Sequence, residues 1–312
     1  MDDKSKIEGA LLGMAVAEAL EGPQAGNLCG LHIGGHTEMA FWIIEALGKE
    51  FRKQAFIDIL LGWHSDVDPQ KLTAPFRTVY AACLNLSDQQ ATQDDAGIET
   101  SLDPGSTVRA VPIGLYYRKP EEIVTAAIES SGITHSNELA VCSAVAAAYV
   151  THLAMNGVPP GIWANELVKV NYAKSFKDTI KLAAELAGSE KSPKAVLAEL
   201  GGGQTVDEAV AFALYSCMRH PRYELAVALA VSANAPGAAA LAGAWSGARQ
   251  GLEAVPESWA ARLVERQKVL DQADNLWRAK HDVSVETVRS QASAAASPQT
   301  QTSGSAASPA AQ

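Results

Sequence analysis

Four short polar segments hold the side chains of this sequence that could do chemistry. They are His36-Thr37-Glu38, Asp103-Pro104-Gly105-Ser106, Thr134-His135-Ser136-Asn137-Glu138 and Ser232-Ala233-Asn234. Each segment stands directly before a run of apolar or small residues, as the first residues of a helix do. Imidazole and carboxylate groups there can transfer protons, and the free N–H groups of a helix start can bind an anion. When each segment is taken alone, an ordinary cap or turn is the favoured explanation.

These segments supply the candidate site residues. His36, Asp103 and His135 are the candidate catalytic groups, because an imidazole or a carboxylate can act as a general acid or base. Arg109 follows Asp103 on the same predicted helix and is a candidate clamp for an anion. Thr37 is the expected N-cap of the helix that follows it. The other predicted ligand-binding residues are Glu38, Ser106, Asn137, Ser232 and Asn234.

Patterns typical of bound metal ions are absent from the sequence. It contains no HExxH or ExxH pair, which would indicate a zinc or di-iron site on a helix. Asp66-Val67-Asp68 lacks the Asp/Asn-Gly continuation of a calcium-binding loop, so a solvated loop is the better explanation. The residues themselves therefore predict neither a metal nor a cofactor.

The elements that must position these residues are predicted to be helices. Apolar residues recur mostly at spacings of three and four, and strictly alternating β-branched runs are nearly absent. The expected fold is all-α, a single compact multi-helix bundle formed by residues 1–285. The Ala-rich stretches 140–148 and 226–244 suit central helices that other helices approach closely. Residues 286–312 are rich in Ala, Ser, Pro and Gln and are expected to form a disordered tail.

Charge and composition exclude several classes of protein. The 312 residues include 25 Lys and Arg against 35 Asp and Glu, a net charge of −10, and no basic tract is interleaved with aromatic residues. A nucleic-acid partner is therefore not expected. No apolar run reaches the roughly 20 uninterrupted residues that span a bilayer, so a membrane protein is not expected either. Cys29, Cys83, Cys142 and Cys217 form no CxxC pair and the N-terminus lacks a signal-peptide pattern, which predicts a cytoplasmic protein.

In their order along the chain, the polar segments and the apolar runs around them resemble the ADP-ribosylglycohydrolase family. The phrases are GALLGMAVAEAL from residue 9, HTEMAFWIIEAL from 36, PGSTVRAVPIGLYY from 104, THSNELAVCSAVAAAYV from 134 and SANAPGAAALAGAWSGA from 232. They lie within about residues 7–265. The family includes enzymes that remove ADP-ribose from arginine or serine. The resemblance therefore implies the helical fold of that family and a cleft for an ADP-ribose-like ligand.

The same resemblance implies two magnesium ions, which this sequence is not equipped to hold. Active members bind them with a Thr-Asp-Asp near the start of the second helix and an Asp-x-Asp-Thr/Ser phrase before the late Ala/Gly-rich helix. Here Gly34-Gly35-His36 and Ser232-Ala233-Asn234-Ala235-Pro236 stand at those places, without carboxylates. The family's Gly-Asp-Ala-x-Gly turn is matched by Ala17-Glu18-Ala19-Leu20-Glu21, which makes Glu18 a further predicted ligand-binding residue. Because magnesium requires hard oxygen ligands, a di-magnesium site is not expected.

The missing carboxylate ligands for magnesium lead to three hypotheses about the function. The preferred one is a pseudo-hydrolase, which keeps the cleft and binds a nucleotide-sugar-like ligand or a protein partner without metal-dependent turnover. The alternative is a repurposed, metal-independent enzyme. Its polar cleft site would consist of His36, Asp103, His135, Ser232 and Asn234. A scaffold with a collapsed cleft is the third hypothesis, and a pocket closed by side chains would support it.

Overall fold

The chain folds into helices joined by loops. A computed structural model describes residues 2–22, 30–88, 96–170 and 173–295. Within these ranges there is no β-strand, and the only strand-like pairing is an isolated bridge between Leu31 and Leu263. The prediction of an all-α fold is therefore confirmed.

The helices follow one another with proline, glycine and polar residues between them. The first half of the chain holds α1 (Asp3–Glu21), α2 (Gly35–Ala46), α3 (Lys53–Asp66), α4 (Ala74–Ser87), α5 (Gly105–Val108), α6 (Val111–Tyr116), α7 (Pro120–Gly132) and α8 (Glu138–Met155). The second half holds α9 (Pro160–Val170), α10 (Lys174–Ala187), α11 (Pro193–Glu199), α12 (Val206–Arg219), α13 (Tyr223–Ala233), α14 (Ala238–Gln250), α15 (Glu257–Ala260) and α16 (Arg266–Ala295). Short 3-10 helices lie at Pro69–Lys71 and Leu252–Ala254.

Helices α1 and α14 cross in the core with their backbones in contact. A Cβ atom on Gly13 would lie 2.7 Å from the carbonyl oxygen of Gly243, and one on Gly9 would lie 2.8 Å from that of Gly247. Both distances are shorter than van der Waals contact allows, so this crossing requires residues without a side chain. The Tyr223 hydroxyl donates to the Gly13 carbonyl at 2.8 Å and fixes the same crossing. Helix α1 thus makes the close approach that the small residues of α14 predict.

Helix α8 runs through the core beside this crossing. Every side chain from Ala140 to Thr151 is buried, and the Ala147 carbonyl accepts the indole N–H of Trp245 at 3.2 Å. Among the described residues, α8 is the helix that is long and apolar enough to cross a membrane, and 83% of it is buried inside the fold. A core helix of a bundle has these same properties.

One boundary differs from the sequence-based expectation. Residues Ala17 to Glu21, matched to a turn in the sequence, are the last turn of α1. The segment contains only Ala, Leu and Glu, which are strong helix formers, and it has no glycine to end the helix. At the other end of the described chain, α16 ends at Ala295, and the domain boundary at residue 285 stays a prediction. The rest of the predicted tail, from residue 296 onward, and Cys29 lie outside the described residues.

Candidate functional site

A cleft opens where the segments before α2, α5, α12 and α14 meet. Its main cavity has a volume of about 720 Å³, and a second cavity of about 460 Å³ adjoins it. The two cavities share His36 and Pro236 in their walls. Asp103 lines the second cavity and Asn234 lines the main one. The fold therefore brings three of the four predicted polar segments to one open cleft.

Glu18, in the last turns of α1, holds the start of α2. Its Oε1 accepts the N–H of His36 at 2.9 Å. Its Oε2 accepts the N–H of Thr37 at 2.9 Å and the Thr37 hydroxyl at 2.6 Å. The N-cap of α2 is Gly34, and a Cβ atom there would lie 2.8 Å from Glu18 Cγ. The prediction of Thr37 as the N-cap is wrong, because a carboxylate from another helix supplies the capping oxygens.

His36 faces Glu18 across a buried ion pair. The ring Nδ1 lies 2.9 Å from Glu18 Oε1, and His36 is only 6% exposed. Neither ring nitrogen has a hydrogen-bond partner of normal geometry. Burial disfavours both charges, but the mutual attraction of the two groups and the hydrogen bonds to Glu18 outweigh it. The pKa of Glu18 is therefore lowered and the pKa of His36 is raised, which makes the pair a carboxylate and an imidazolium.

Glu21 lies one turn after Glu18 and reaches the start of α14. Its Oε2 accepts the N–H of Gly237 at 3.1 Å, while its Oε1 is buried without a hydrogen-bond partner. Burial raises the pKa of Glu21 to about 7, although hydrogen bonds from the start of α14 and the charge of His36 oppose the rise. The sequence analysis missed Glu21 as a site residue. Its spacing of three from Glu18, which places both on one face of α1, is the signal that could have found it.

Asp103 precedes α5 and collects donors on both carboxylate oxygens. Oδ1 accepts the N–H of Gly105 at 2.8 Å and lies 3.0 Å from His135 Nε2. Oδ2 accepts the hydroxyl of Ser101 at 2.6 Å and that of Thr78. Burial alone would raise the pKa of Asp103, but the hydrogen bonds from His135, Ser101 and Thr78 hold this pKa well below its usual range. The carboxyl group therefore stays ionised.

His135 and Arg109 lie behind Asp103 and are fully buried. Arg109 Nη2 donates to the Ser130 carbonyl at 2.7 Å and to the Thr134 hydroxyl at 2.6 Å, and that hydroxyl lies 2.7 Å from His135 Nδ1. Because arginine can only donate, the Thr134 hydroxyl accepts a hydrogen bond from Arg109 and donates its own to His135 Nδ1. His135 Nε2 then carries the ring proton and donates it to Asp103. Burial lowers the pKa of His135, which agrees with this neutral tautomer.

Three of the helices that begin at the cleft have a carboxylate from outside the helix at their first N–H groups, whereas α12 is capped by its own Thr205 and Glu208. Glu18 accepts N–H groups of α2, Asp103 accepts one of α5, and Glu21 accepts the one at the start of α14. A free helix start attracts anions through its N–H groups and its dipole. Because the protein's own carboxylates accept these N–H groups, the helix starts are not available to bind a phosphate group of a ligand.

The remaining predicted residues divide between the cleft and the frame around it. Glu38 and Asn234 line the main cavity, and Asn234 ends α13 in the left-handed conformation with a φ of 52°. Ser106 is fully buried and accepts a hydrogen bond from another serine hydroxyl at 3.0 Å. Asn137 caps α8, accepting an N–H of its first turn at 2.9 Å. Ser232 donates to a carbonyl of its own helix at 2.7 Å. Ser106, Asn137 and Ser232 therefore stabilise the helices around the cleft.

Both oxygens of the Glu18 carboxylate and both of the Asp103 carboxylate already interact with other groups of the protein. A carboxylate has about four lone-pair positions. Glu18 Oε2 receives two donors from Thr37, while Oε1 receives the N–H of His36 and also faces the His36 ring in the ion pair. Asp103 receives two donors on each oxygen. In the part of the chain that the structure describes, no group of three or more His, Cys, Asp and Glu side chains is arranged to hold a metal ion.

Comparisons with known proteins agree with the resemblance found in the sequence. The family model described as ADP-ribosylglycohydrolase matches residues 1–285. ADP-ribosylhydrolase ARH3 of Mus musculus is 26% identical over 194 residues, covering 51% of this chain and 52% of the mouse protein, so the chain spans about half the length of that relative. A solved structure described as "ADP-ribosylglycohydrolase-related protein complex" shares the fold, with a TM-score of 0.65 and 22% identity over 89% of this chain and 99% of that one. The chain belongs to the ADP-ribosylglycohydrolase family.

Proposed function

We propose that this protein binds an ADP-ribose-like ligand in its cleft without metal-dependent turnover. One observation carries the proposal: the carboxylates of Glu18 and Asp103 in the cleft are already engaged through both oxygens by hydrogen bonds and an ion pair within the protein. The ligand is a free nucleotide-sugar-like compound or the same group carried by a protein partner. A cytoplasmic location is part of this proposal and is supported by the scattered cysteines, which form no CxxC pair.

Two magnesium ions do not fit these residues. A magnesium ion needs near-octahedral oxygen ligands, and two ions buried among helices need several negative charges to offset their desolvation. Glu18 is already neutralised by the imidazolium of His36, whose positive charge would repel a dication placed beside it. Asp103 would have to give up His135 and three further donors before it could bind a metal. The residues of the cleft therefore do not support a reaction that depends on bound magnesium.

The cleft itself is suited to a small ligand. Its main cavity of about 720 Å³ lies within the range of small-molecule sites, roughly 300–1,000 Å³. Phe76 forms part of the wall and is held by Trp63, with ring centroids 5.3 Å apart and an interplanar angle of 30°. Gln204 and Asn234 add polar groups to the same wall. An aromatic face beside a few polar groups is typical of a site that binds and orients a small molecule.

A metal-independent enzyme is the second candidate, and one observation favours it. Glu18 contacts one ring nitrogen of His36 and leaves Nε2 without a partner, as a carboxylate behind a general-acid histidine does. The geometry reduces the number of residues that could act in such an enzyme. His135 is fully buried with both nitrogens partnered, and Ser232 bonds its own helix. Of the two histidines predicted for the alternative, His36 is the one with an unpartnered ring nitrogen.

Calorimetry with ADP-ribose, in Mg²⁺ and again in EDTA, tests the proposed function. We expect the same dissociation constant in both conditions, because no ligand atom is held through a metal. An ADP-ribosylated peptide incubated with the protein should release no ADP-ribose in either condition. Binding that requires Mg²⁺ would contradict the proposal. Release of ADP-ribose in EDTA, abolished by His36→Ala, would favour the metal-independent enzyme instead.

A further inference from the structure

We propose that a small cavity at the start of α1 binds a tetrahedral oxyanion such as phosphate. The cavity has a volume of about 170 Å³, and its wall is formed by the first residue of α1, the segment after α6, the end of α8 and one side chain of α16. Among the described residues, none lines both this cavity and the cleft, which adjoins the other end of α1, about 27 Å away. The inference is therefore independent of the proposed function.

Lys280 of α16 brings a buried charge to this cavity. Its side chain is only 7% exposed, and its Nζ donates to the Leu115 carbonyl at 2.7 Å. That bond uses one of the three N–H donors of an ammonium group. Asp3 Oδ2 lies 3.9 Å away, beyond hydrogen-bond distance, on a half-exposed side chain. Because a lysine is rarely buried without a close anionic partner, the protein itself satisfies this ammonium group only in part.

Further positive charges surround Lys280. Arg118 lines the same cavity, is exposed, and makes no hydrogen bond or ion pair with any residue that the structure describes. Lys6 donates to the carbonyl of Met155, which also lines the cavity, at 2.6 Å. Burial lowers the pKa of Lys280, and the charges of Arg118 and Lys6 lower it further, against the opposing charge of Asp3. A protein with a net charge of −10 thus gathers cations around one small cavity.

The charge and the size of the cavity both suit a phosphate group. The cations Lys6, Arg118 and Lys280 stand against the single carboxylate Asp3, and 3 − 1 leaves two positive charges. A phosphate group near neutral pH carries a charge close to −2 and balances them. The guanidinium of Arg118 can donate two parallel hydrogen bonds to its oxygens. The volume is below the roughly 300–1,000 Å³ of sites for larger molecules, so a phosphate group fits but a whole nucleotide does not.

Calorimetry with sodium phosphate, at constant ionic strength in NaCl, tests the site on the full chain. Arg118→Gln should weaken phosphate binding at least about tenfold, the loss expected for a hydrogen bond between charged groups. Its side chain is exposed, so this variant should fold normally. Lys280→Met should weaken binding to a similar extent. Arg219→Gln is the matched control, because Arg219 is an exposed arginine of α12 outside the cavity, and it should change the dissociation constant less than about twofold.

A second calorimetric titration with phosphoserine distinguishes the sources of the oxyanion. Tighter binding of phosphoserine than of phosphate would identify a phosphate ester on a larger molecule as the ligand. Tighter binding of phosphate would identify the free ion. Either result supports an oxyanion site, provided that Arg118→Gln weakens it. Phosphate binding that is the same in Arg118→Gln and in the parent chain would overturn the inference.

His152 gives a readout on the unsubstituted protein. It lines the cavity, and its pKa is lowered by burial and by the charge of Lys280. A bound oxyanion would oppose that charge, so phosphate should raise the pKa of His152 towards its ordinary value of 6.5. ¹⁵N-histidine NMR measures this pKa, with the resonance assigned from His152→Gln. A His152 pKa that is the same in phosphate and in NaCl would contradict the site and leave the ligand proposed for the cleft untouched.

Discussion

Gly243→Ala is expected to destabilise the fold by about 3 kcal/mol, a large part of the roughly 5–15 kcal/mol by which a typical domain is stable. The added methyl group would lie within van der Waals contact of the Gly13 carbonyl on α1. That neighbour is backbone, so no side chain can rotate away to make room. Helix α1 also packs against α16, and α14 packs against α8, α12 and α13, so neither helix can move outward alone. The urea midpoint of the purified variant measures the loss.

Gly62→Ala is the matched control for this substitution. Gly62 lies inside α3 and is exposed, with no atom within 4 Å of the place where its Cβ would stand. There the same change should stabilise the protein by about 0.5–1 kcal/mol, because alanine favours a helix more than glycine does. Equal midpoints for the two variants would show that the glycines of the α1–α14 crossing are not required for close packing.

Glu21→Gln is expected to stabilise the protein at pH 8 by about 3 kcal/mol relative to the unsubstituted chain. The pKa of Glu21 is raised from its ordinary value of 4.5 to about 7 in the fold, chiefly by burial. The folded state therefore binds this proton more tightly than the unfolded state does. The stabilising contribution is present below pH 4.5 and is lost as the pH rises through 7. Glutamine remains neutral and can still accept the N–H of Gly237.

The pH dependence separates this effect from a general change in packing. Unfolding by urea at pH 5 should show a difference of less than about 1 kcal/mol between Glu21→Gln and the parent chain, and the difference should grow towards pH 8. Glu253→Gln, an exposed position on the surface, removes one negative charge and serves as the control. A difference for Glu21→Gln that is the same at both pH values would mean that Glu21 is already ionised in the fold at pH 5.

A carboxyl group that destabilises the folded protein at neutral pH indicates a role other than stability. Perturbed pKa values are concentrated at functional sites, where burial and neighbouring charges serve binding or catalysis. Glu21 combines the raised pKa with an unpartnered oxygen in the cleft wall. Stability alone does not account for a carboxyl group at this position, whereas a role in the proposed ligand binding would.

Local patterns in the sequence were enough to predict the helices and the polar helix starts. The spacing of apolar residues predicts the all-α fold, and Asn137 caps α8 where a polar segment precedes an Ala-rich run. Such signals lie within a few residues of one another along the chain. The small residues of α14 also predict a close neighbour, although only the fold shows that α1 is that neighbour.

The contacts within the site depend on residues far apart in the sequence. Glu18 caps α2 from another helix, and the two glycines before His36 gave no sign that a carboxylate would fill the space beside them. Asp103 likewise contacts a distant residue, because its partner His135 lies 32 positions later. Sequence reasoning therefore found His36 and Asp103 as polar residues at helix starts. It could not show that His36 keeps a free nitrogen at the cleft while His135 does not.

A crystal structure of the protein soaked with MnCl₂ and ADP-ribose tests the central claim most directly, because manganese substitutes for magnesium and has an anomalous signal. We predict ligand density in the cleft, with the Glu18–His36 ion pair intact and no anomalous peak between the starts of α2 and α14. Anomalous peaks there, with Glu18 or Asp103 turned to coordinate them, would contradict the account. An empty cleft at saturating ADP-ribose would refute the proposed ligand.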